Sequence, residues 1–321
     1  MRSYRRGSKG GEVERIQRRL QELGFYRGAI DGDFGGETEI AVRQFQRQQR
    51  LEVDGTVGSN TWRALFPAVP ELPAPALLGQ PVEFRCLALT GAFETSVPPP
   101  GCFTAVSGDF DGQGISFGAL QFNLGQGTLQ PILLDMIRRH PAVMEETFHE
   151  HLGELRAMLA ADLRAQLAFA RRIQAPDFRL YEPWRGMFRA LGRTPECQRL
   201  QLEEAALAVD RAKGLCERFD VTSARALALM FDIVVQNGGI SAIVGAQIEA
   251  DFRRLDPALG PQAREHERLR IIANRRAEAA NPRWVEDVRE RKLCIANGGG
   301  EVHGAFYDLQ EYGLALDPAV V

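Results

Sequence analysis

The sequence of 321 residues lacks the segments that direct a chain into or through a membrane. Its N-terminus is basic, but a charged amphipathic stretch follows Gly10-Gly11 where a signal peptide has an apolar region. No apolar run approaches the roughly 20 residues that a membrane span needs. We therefore expect synthesis in the cytoplasm without a signal peptide, and no membrane partner.

The sequence is also poor in cysteine and in net charge. The five cysteines are Cys86, Cys102, Cys197, Cys216 and Cys294. They form no CxxC pair and have too few histidines nearby for a zinc site, so we expect neither a metal nor a cofactor. Their odd number leaves at least one thiol free, and we expect all five to be reduced, mostly in the core, which fits a reducing compartment. The net charge of −3 gives no general attraction to nucleic acid.

An internal repeat organises residues 1–66. Apolar residues recur at helical spacing over 11–24 and 38–48, and a short third helix is predicted around Trp62. The motif DGxxG occurs at Asp31 and again 23 residues later at Asp54, each time ahead of a helix. Asp-Gly favours a tight turn, and the later glycine permits positive φ or close packing. The repeat predicts a small three-helix domain, a class that usually binds instead of catalysing.

A proline-rich segment, residues 67–80, separates this domain from the rest. Its prolines favour an extended, semi-rigid backbone, so we expect a linker that holds two domains apart. In the larger domain, residues 81–321, helical periodicity is found near 81–94, 131–139, 153–172, 195–215, 222–235, 240–252, 262–280 and 282–293. Only 103–123 has the pattern of strand and turn. The predicted fold is mainly α, with one small β-hairpin in the larger domain.

Glu94 lies in the last turn of the first helix of that domain. The apolar stripe of this helix consists of Val82, Cys86, Leu89 and Phe93. Glu94 falls at the edge of the stripe, and the prolines at 98–100 prevent the helix from continuing. A carboxyl group at the edge of an apolar pocket is costly to ionise, as a general acid requires. The alternative is a glutamate at a frayed helix end that reaches solvent.

A glycine-rich turn, Gly-Asp-Phe-Asp-Gly-Gln-Gly at 108–114, offers a second carboxyl group. Its glycines allow a ligand close to the backbone, and Asp109 and Asp111 project from a hydrated segment. Ser116 would help to orient a water molecule. Two carboxyl groups in unlike environments are what glycoside hydrolysis requires. The alternative is a β-turn whose aspartates cap their own backbone.

The N-terminal residues 11–65 resemble the peptidoglycan-binding domain 1 family. The shared pattern runs Leu-Gly, Asp-Gly-x-Phe-Gly, Thr, Ala-Val, Phe-Gln, Asp-Gly-x-Val-Gly and Thr-Trp. The resemblance implies that residues 1–66 form a wall-binding domain whose partner is bacterial peptidoglycan. The residues expected to bind the wall are Asp31, Phe34, Asp54 and Trp62.

Three motifs of the larger domain are similar to family 46 chitosanases, of the lysozyme-like superfamily. They are Phe-Glu-Thr at 93–95, Asp-Gly-Gln-Gly-Ile-Ser-Phe-Gly at 111–118 and Gly-Gln-Gly-Thr-Leu at 125–129; Gly-Ala-Leu-Gln at 118–121 also resembles a hairpin of lytic transglycosylases and goose-type lysozymes. The resemblance implies a lysozyme-like α+β domain with Glu94 as acid, Asp111 as base and Ser116 as the water-positioning hydroxyl. Gln113 and Thr128 replace the family's Arg and Asp, which argues against chitosan as substrate.

Other polar and aromatic residues are further candidates for binding sugar. The expected substrate-binding residues are Asp109, Gln121, Asn123, Gln236 and Asn237. The last two end a predicted helix, where a plain glycine C-cap is the alternative. Tyr181, Trp184 and Trp284 could stack on sugars, but aromatic residues at such helix positions are usually part of the core. His303 could contact glycan, but a single histidine in a loop is usually structural. The arginine-rich stretches 253–254, 275–276 and 289–292 are interpreted as solvated faces.

These patterns favour a peptidoglycan glycan-strand hydrolase, an endolysin-like muramidase that acts as a monomer by an inverting mechanism. The alternatives are a lytic transglycosylase that uses Glu94 alone, a chitosanase-like glycosidase, and a non-catalytic wall-binding protein. Without a signal peptide, the chain would reach the wall after phage lysis or through a secretion machine. The choice of base between Asp109 and Asp111 stays open, with Asp111 favoured.

Overall fold

A computed structural model describes residues 3–69, 71, 72 and 74–316. Two compact units are present: Met1–Cys86 together with Ala212–Val321, and Leu87–Arg211. The N-terminal residues thus share a unit with the C-terminal third of the chain. Within that unit, the Phe306 amide donates to the Gly7 carbonyl over 3.1 Å and the Arg5 guanidinium lies 4.5 Å from the Phe306 ring centre. The domain boundaries at residues 66 and 81 stay a prediction from sequence.

Three helices build the N-terminal domain: α1 (Gly11–Glu22), α2 (Gly36–Gln48) and α3 (Ser59–Leu65). Their apolar faces surround a core that includes Phe34, Phe45 and Trp62, all fully buried. The predicted three-helix architecture is confirmed.

A buried glutamine closes each of the two repeated turns. Gln17 Nε2 donates to Asp31 Oδ1 over 2.8 Å, and its Oε1 accepts from the next glycine amide over 2.9 Å. Gln46 repeats both bonds with Asp54 and the glycine after it, over 2.8 and 2.9 Å. Because a buried side-chain amide must have its polar atoms paired, each glutamine fixes the turn that it faces. The repeat is therefore one of hydrogen bonding as well as of sequence.

Residues 67–80 include no helix or strand among those described; Pro70 and Pro73 lie outside the described residues. The Val69 carbonyl accepts a hydrogen bond from the Trp62 indole over 3.0 Å, and Leu72 packs against the N-terminal core. Val69 and Leu72 thus contact the N-terminal domain, whereas the sequence predicted an extended spacer.

The second unit contains the part of the fourth helix that follows Cys86, together with the strands and helices after it up to the tenth helix. They are α4 (Val82–Thr95), β1 (Val106–Ser107), β2 (Ser116–Phe117), β3 (Phe122–Asn123), α5 (Leu129–Arg139), α6 (Pro141–Phe148), α7 (Leu152–Ala160), α8 (Leu163–Arg172), α9 (Trp184–Arg193) and α10 (Pro195–Glu204). The strands form an antiparallel sheet in the order β1-β2-β3. The helix predicted over 153–172 is divided because Asp162 caps α8, accepting from the Ala165 amide over 2.8 Å. Helices α6 and α9 were not predicted.

The chain continues through five helices and a hairpin: α11 (Ala206–Phe219), α12 (Ala224–Asn237), α13 (Ala242–Phe252), α14 (Pro261–Glu278), α15 (Val285–Asn297), β4 (Gly299–Val302) and β5 (Ala305–Asp308). His303 and Gly304 join β4 to β5, and both have positive φ, as a two-residue hairpin turn prefers. This hairpin is additional to the one that was predicted. The mainly helical class is confirmed, and none of the helices described is long and apolar enough to cross a membrane.

All five cysteines are free and buried, as predicted. Burial raises the pKa of the Cys102 and Cys197 thiols to about 12. Their reactive thiolate forms are therefore suppressed at neutral pH.

The second half of one arginine-rich stretch, 289–292, is buried, contrary to the interpretation of that stretch as a solvated face. Lys292 has no exposed surface and Arg291 is 2% exposed, and both pair with the fully buried Asp232. The Arg291 Nη2 to Asp232 Oδ1 distance is 2.7 Å. Burial opposes the ionisation of Asp232, but the charges of Arg291 and Lys292 outweigh it and hold the pKa of this carboxyl below its ordinary value. The first unit thus contains a buried ionic cluster.

We expect Asp232→Asn to lower the free energy of unfolding by about 3–5 kcal/mol at pH 7, because it removes the negative charge that offsets two buried cations. The pKa of Asp232 is lower in the folded chain than in the unfolded chain, where it is about 3.9. The stabilisation that its carboxylate gives to the fold is therefore fully present above about pH 3.9 and is lost as pH falls through the folded pKa. Urea unfolding at pH 7 and pH 3 measures both effects.

The matched control is Asp220→Asn, which breaks an exposed pair with Arg268 and should cost no more than about 1 kcal/mol. A difference between Asp232→Asn and the parent protein that stays the same at both pH values, or a cost equal to that of the control, would contradict the assignment.

Candidate active site

Glu94 stands exposed in the last turn of α4. The helix ends at Thr95, and Ser96 then adopts positive φ ahead of the prolines at 98–100. The preceding residues Ala92 and Phe93 are buried, whereas the Glu94 side chain is exposed. The apolar setting expected for this carboxyl group is therefore not observed. The predicted end of the helix is observed.

A close contact at Gly91 docks α4 on the sheet. A Cβ atom added to Gly91 would lie 2.7 Å from the Cβ of Ala119, in the β2–β3 turn, which is too close for any other residue without rearrangement. Glu94 follows Gly91 by about one helical turn. The contact thus holds the helix that carries Glu94 against the sheet whose β1–β2 loop carries Asp111.

Gln201 of α10 fixes the same β2–β3 turn through a fully buried amide. Its Oε1 accepts from the Ala119 amide over 2.9 Å and its Nε2 donates to the Phe103 carbonyl over 3.1 Å. Gly118 passes so near that a Cβ there would lie 2.4 Å from Gln201 Oε1. Gln201 was not predicted from the sequence, because a single glutamine in a helical pattern gives no sign of a contact 82 residues away.

Asp109 is engaged inside the turn and is 7% exposed. Its Oδ1 accepts from the Gly114 amide over 2.7 Å, and its Oδ2 lies 2.5 Å from Nε of Arg171. The Asp109 amide donates to Gln174 Oε1 over 2.6 Å. With both carboxylate oxygens engaged, Asp109 holds the turn in shape, and its expected contact with substrate is not supported by this geometry. Arg171 and Gln174 were not predicted.

Asp111 is the exposed carboxylate of the turn. Its Oδ1 accepts from the Gln113 amide over 3.0 Å, the local turn contact that was weighed as its alternative role. No hydrogen bond to its other oxygen is found among the described residues. Asp111 therefore has one oxygen that orients the side chain and a second oxygen that water or a ligand can reach.

The remaining candidates of the second unit lie on the sheet. Ser116 is 4% exposed in β2, opposite Ser107 and Asn123, and strand alternation places its side chain on the face opposite Phe117. Asn123 is 7% exposed, and its Oδ1 accepts from the Gln126 amide over 2.8 Å. Gln121, with positive φ, donates to the Gly118 carbonyl over 2.8 Å. Asn123 and Gln121 thus support turns, and a sugar contact from either stays a prediction.

Gln236 and Asn237 end α12 in the first unit, where Gly238 forms a left-handed C-cap as the alternative reading predicted. Gln236 Oε1 accepts from Lys292 Nζ over 2.6 Å, which ties it to the buried ionic cluster. The Asn237 Oδ1 atom is buried and has no hydrogen-bond partner among the described residues. Their assignment to substrate binding stays a prediction.

Two of the four residues expected to bind the wall lie in the core. Phe34 and Trp62 have no exposed surface, so they act in packing, since a glycan touches only exposed atoms. Asp31 and Asp54 are exposed, but one oxygen of each receives the glutamine amide described above. Of the four, only these two aspartates have surface for a ligand.

Comparison with known families confirms the resemblance of the N-terminal domain. Residues 9–65 match the peptidoglycan binding domain family. The spore cortex-lytic enzyme of Bacillus subtilis is 50% identical over 62 residues, which are 19% of this chain and 20% of that protein. The N-terminal domain thus has the sequence of the peptidoglycan binding domain family.

One further relative matches a longer part of the chain. The type VI secretion system spike protein VgrG3 of Vibrio cholerae is 30% identical over 142 residues, which are 40% of this chain and 14% of that protein. The chain spans between 14% and 24% of the length of the curated relatives it matches. Among solved structures, a chitosanase of Gynuella sunshinyii in complex with chitotetraose has a TM-score of 0.43 and 15% identity, covering 74% of this chain and 98% of its own. A structural similarity this weak does not indicate a function.

We expect Gln201→Leu to lower the free energy of unfolding by about 2–4 kcal/mol, because it leaves the buried Ala119 amide and Phe103 carbonyl without this partner. Urea denaturation of the purified variant measures the change. Gln126→Leu, an exposed glutamine on the 124–128 turn, serves as control and should stay within about 0.5 kcal/mol of the parent protein. Equal stability of the two variants would show that Gln201 does not fix the turn.

Proposed function

We propose that the chain hydrolyses the glycan strands of bacterial peptidoglycan as a muramidase. The match to the peptidoglycan binding domain family supports the choice of polymer, and one relative bears the name spore cortex-lytic enzyme. The observation that carries the proposal is the pair of exposed carboxyl groups, Glu94 and Asp111, on two elements joined by the Gly91–Ala119 contact.

In this proposal Glu94 is the general acid and Asp111 the general base. Asp111 takes a proton from water as the water oxygen bonds to the anomeric carbon, and Glu94 gives its proton to the leaving glycosidic oxygen as that carbon–oxygen bond breaks. Ser116 orients the water. The mechanism inverts the anomeric configuration, which requires the two carboxyl groups to stand roughly 6.5–9.5 Å apart with water between them.

The turn geometry favours Asp111 over Asp109 as the base. The Asp109 carboxylate is already neutralised by Arg171 and bonded to the Gly114 amide. A base must have an oxygen available to water, and Asp111 is the exposed member of the two.

The N-terminal domain would act as a tether. While this domain is bound to the polymer, the catalytic unit stays close to the glycan, and its effective concentration there is raised. The similarity to a protein named as a type VI secretion spike supports delivery to the wall by a secretion machine, with release after phage lysis as the other route. The active form in this proposal is a monomer.

We expect Glu94→Gln and Asp111→Asn each to reduce the release of fragments from purified sacculi by at least about 100-fold, the usual contribution of a general acid or base. Mass spectrometry identifies the released ends, and NMR of the first-formed reducing end identifies its anomer. Hydrated reducing ends of inverted configuration are the expected product.

Two conservative variants serve as controls. Asp109→Asn keeps the acceptor for the Gly114 amide, and Glu146→Gln removes an exposed carboxylate of α6. Both should retain activity within a few-fold. A loss with Asp109→Asn but not Asp111→Asn would exchange the roles of the two aspartates.

The product also separates the other candidate functions. Anhydro ends that depend on Glu94 alone would identify a lytic transglycosylase. Cleavage of chitosan in place of sacculi would identify a chitosanase-like glycosidase. Binding to sacculi without release of any fragment would identify a wall-binding protein and overturn the proposal.

A further inference from the structure

An open pocket of about 400 Å³ lies beside the Asp109–Asp111 turn in the second unit. Its walls come from β1, from the turn itself, from the loop between α8 and α9, and from the first turn of α9, which carries Arg185. The lining residues that matter for its chemistry are Ser107, Phe110, Asp177, Phe178, Arg179 and Arg185. None of them was singled out by sequence.

Two exposed phenylalanines give the pocket an apolar surface. Phe110 is 59% exposed and Phe178 is 42% exposed. Phe178 also has a φ of 63°, a left-handed conformation that is unfavourable for a bulky side chain. A glycine would occupy this position without strain, so the phenylalanine costs backbone energy and exposes apolar surface. Backbone strain of this kind clusters at functional sites, and two aromatic rings that line one pocket offer apolar surface to a ligand.

Two arginines give the pocket positive charge. Arg179 is exposed, and none of the carboxylates in the described part of the chain pairs with its guanidinium. Arg185 lies 3.6 Å from Glu182, a loose and exposed pair. The single lining acid, Asp177, accepts from the Arg179 backbone amide over 3.2 Å. Guanidinium groups bind carboxylates through paired hydrogen bonds, so the pocket suits an anionic ligand better than a cationic one.

The backbone joins the pocket to the proposed catalytic turn. Phe110 stands between Asp109 and Asp111 in the chain, and the Gly108 amide donates to the Phe178 carbonyl over 2.8 Å. A polymer unit bound in this pocket would therefore lie next to the unit that is cut.

We propose that this pocket binds a carboxylate-bearing unit of the wall polymer and thereby selects peptidoglycan over cationic amino-sugar polymers. The inference rests on the proposed function and specifies its substrate class. The phenylalanines contact the sugar or peptide surface, and Arg179 and Arg185 bind the carboxylate. That carboxylate belongs either to the stem peptide or, in peptide-free strands, to the lactyl group of the muramic acid.

The test measures binding without turnover, in the full-length chain carrying Glu94→Gln. The probes are wall tetrasaccharides with stem peptide, the same tetrasaccharides without peptide, and the neutral tetramer of N-acetylglucosamine. Isothermal titration calorimetry gives Kd for this background and for the same protein with Arg179→Gln, Arg185→Gln or Phe178→Gly added. Arg164→Gln, which removes an exposed charge from α8 outside the pocket, is the matched control.

Each arginine variant should weaken the carboxylate-bearing probes about five- to tenfold and leave the neutral tetramer unchanged. The peptide-bearing and peptide-free probes show which carboxylate is bound. Phe178→Gly should weaken all three probes while its melting temperature stays the same or rises, because glycine relieves the positive φ. A purely structural role for Phe178 would instead lower the melting temperature.

Arginine variants that bind all three probes as Arg164→Gln does would overturn the pocket assignment. That result is independent of catalysis: sacculi could still be hydrolysed through Glu94 and Asp111. Conversely, a loss of affinity in the arginine variants would support the pocket even if the parent protein released no fragment from sacculi.

Discussion

The second unit depends on one close approach, that of Gly91 in α4 to Ala119 in the β2–β3 turn. Glycine is required there because any side chain would meet the turn, and Gln201 holds the same turn from α10 through its buried amide. Both carboxyl groups of the proposed mechanism are attached to elements that this contact joins. The chemistry thus rests on packing and buried amide bonds, while the reacting groups themselves remain exposed.

Buried amides have a similar role in the N-terminal domain. Gln17 and Gln46 each bond to the side chain and backbone of a turn, so a repeated sequence becomes a repeated hydrogen-bond pattern. Phe34 and Trp62 are buried in the core of this domain, so other residues form its surface. Family motifs therefore mark positions needed for folding as much as positions needed for binding.

Local signals were sufficient for much of the fold. Periodicity and the prolines after Ser96 placed α4 and its end, and the Asp-Gly repeats placed the turns of the N-terminal domain. Long-range partners were not accessible: Arg171 reaches Asp109 from 62 residues away, and Asp232 meets Lys292 across 60. A charged residue has the same sequence pattern whether it is solvated or buried with a distant partner. For this reason Lys292 was assigned to the surface and Asp109 to the substrate.

The burial of the cysteines affects how the chain resists oxidation and disulfide exchange. Burial raises the pKa of thiols such as Cys102 and Cys197 to about 12, so their thiolate fraction at neutral pH is far smaller than that of an exposed cysteine. Thiolates are the species that oxidants and disulfides attack. The five buried thiols are therefore protected from cross-linking and oxidation while the chain is folded, and we expect oxidation to proceed through unfolded molecules.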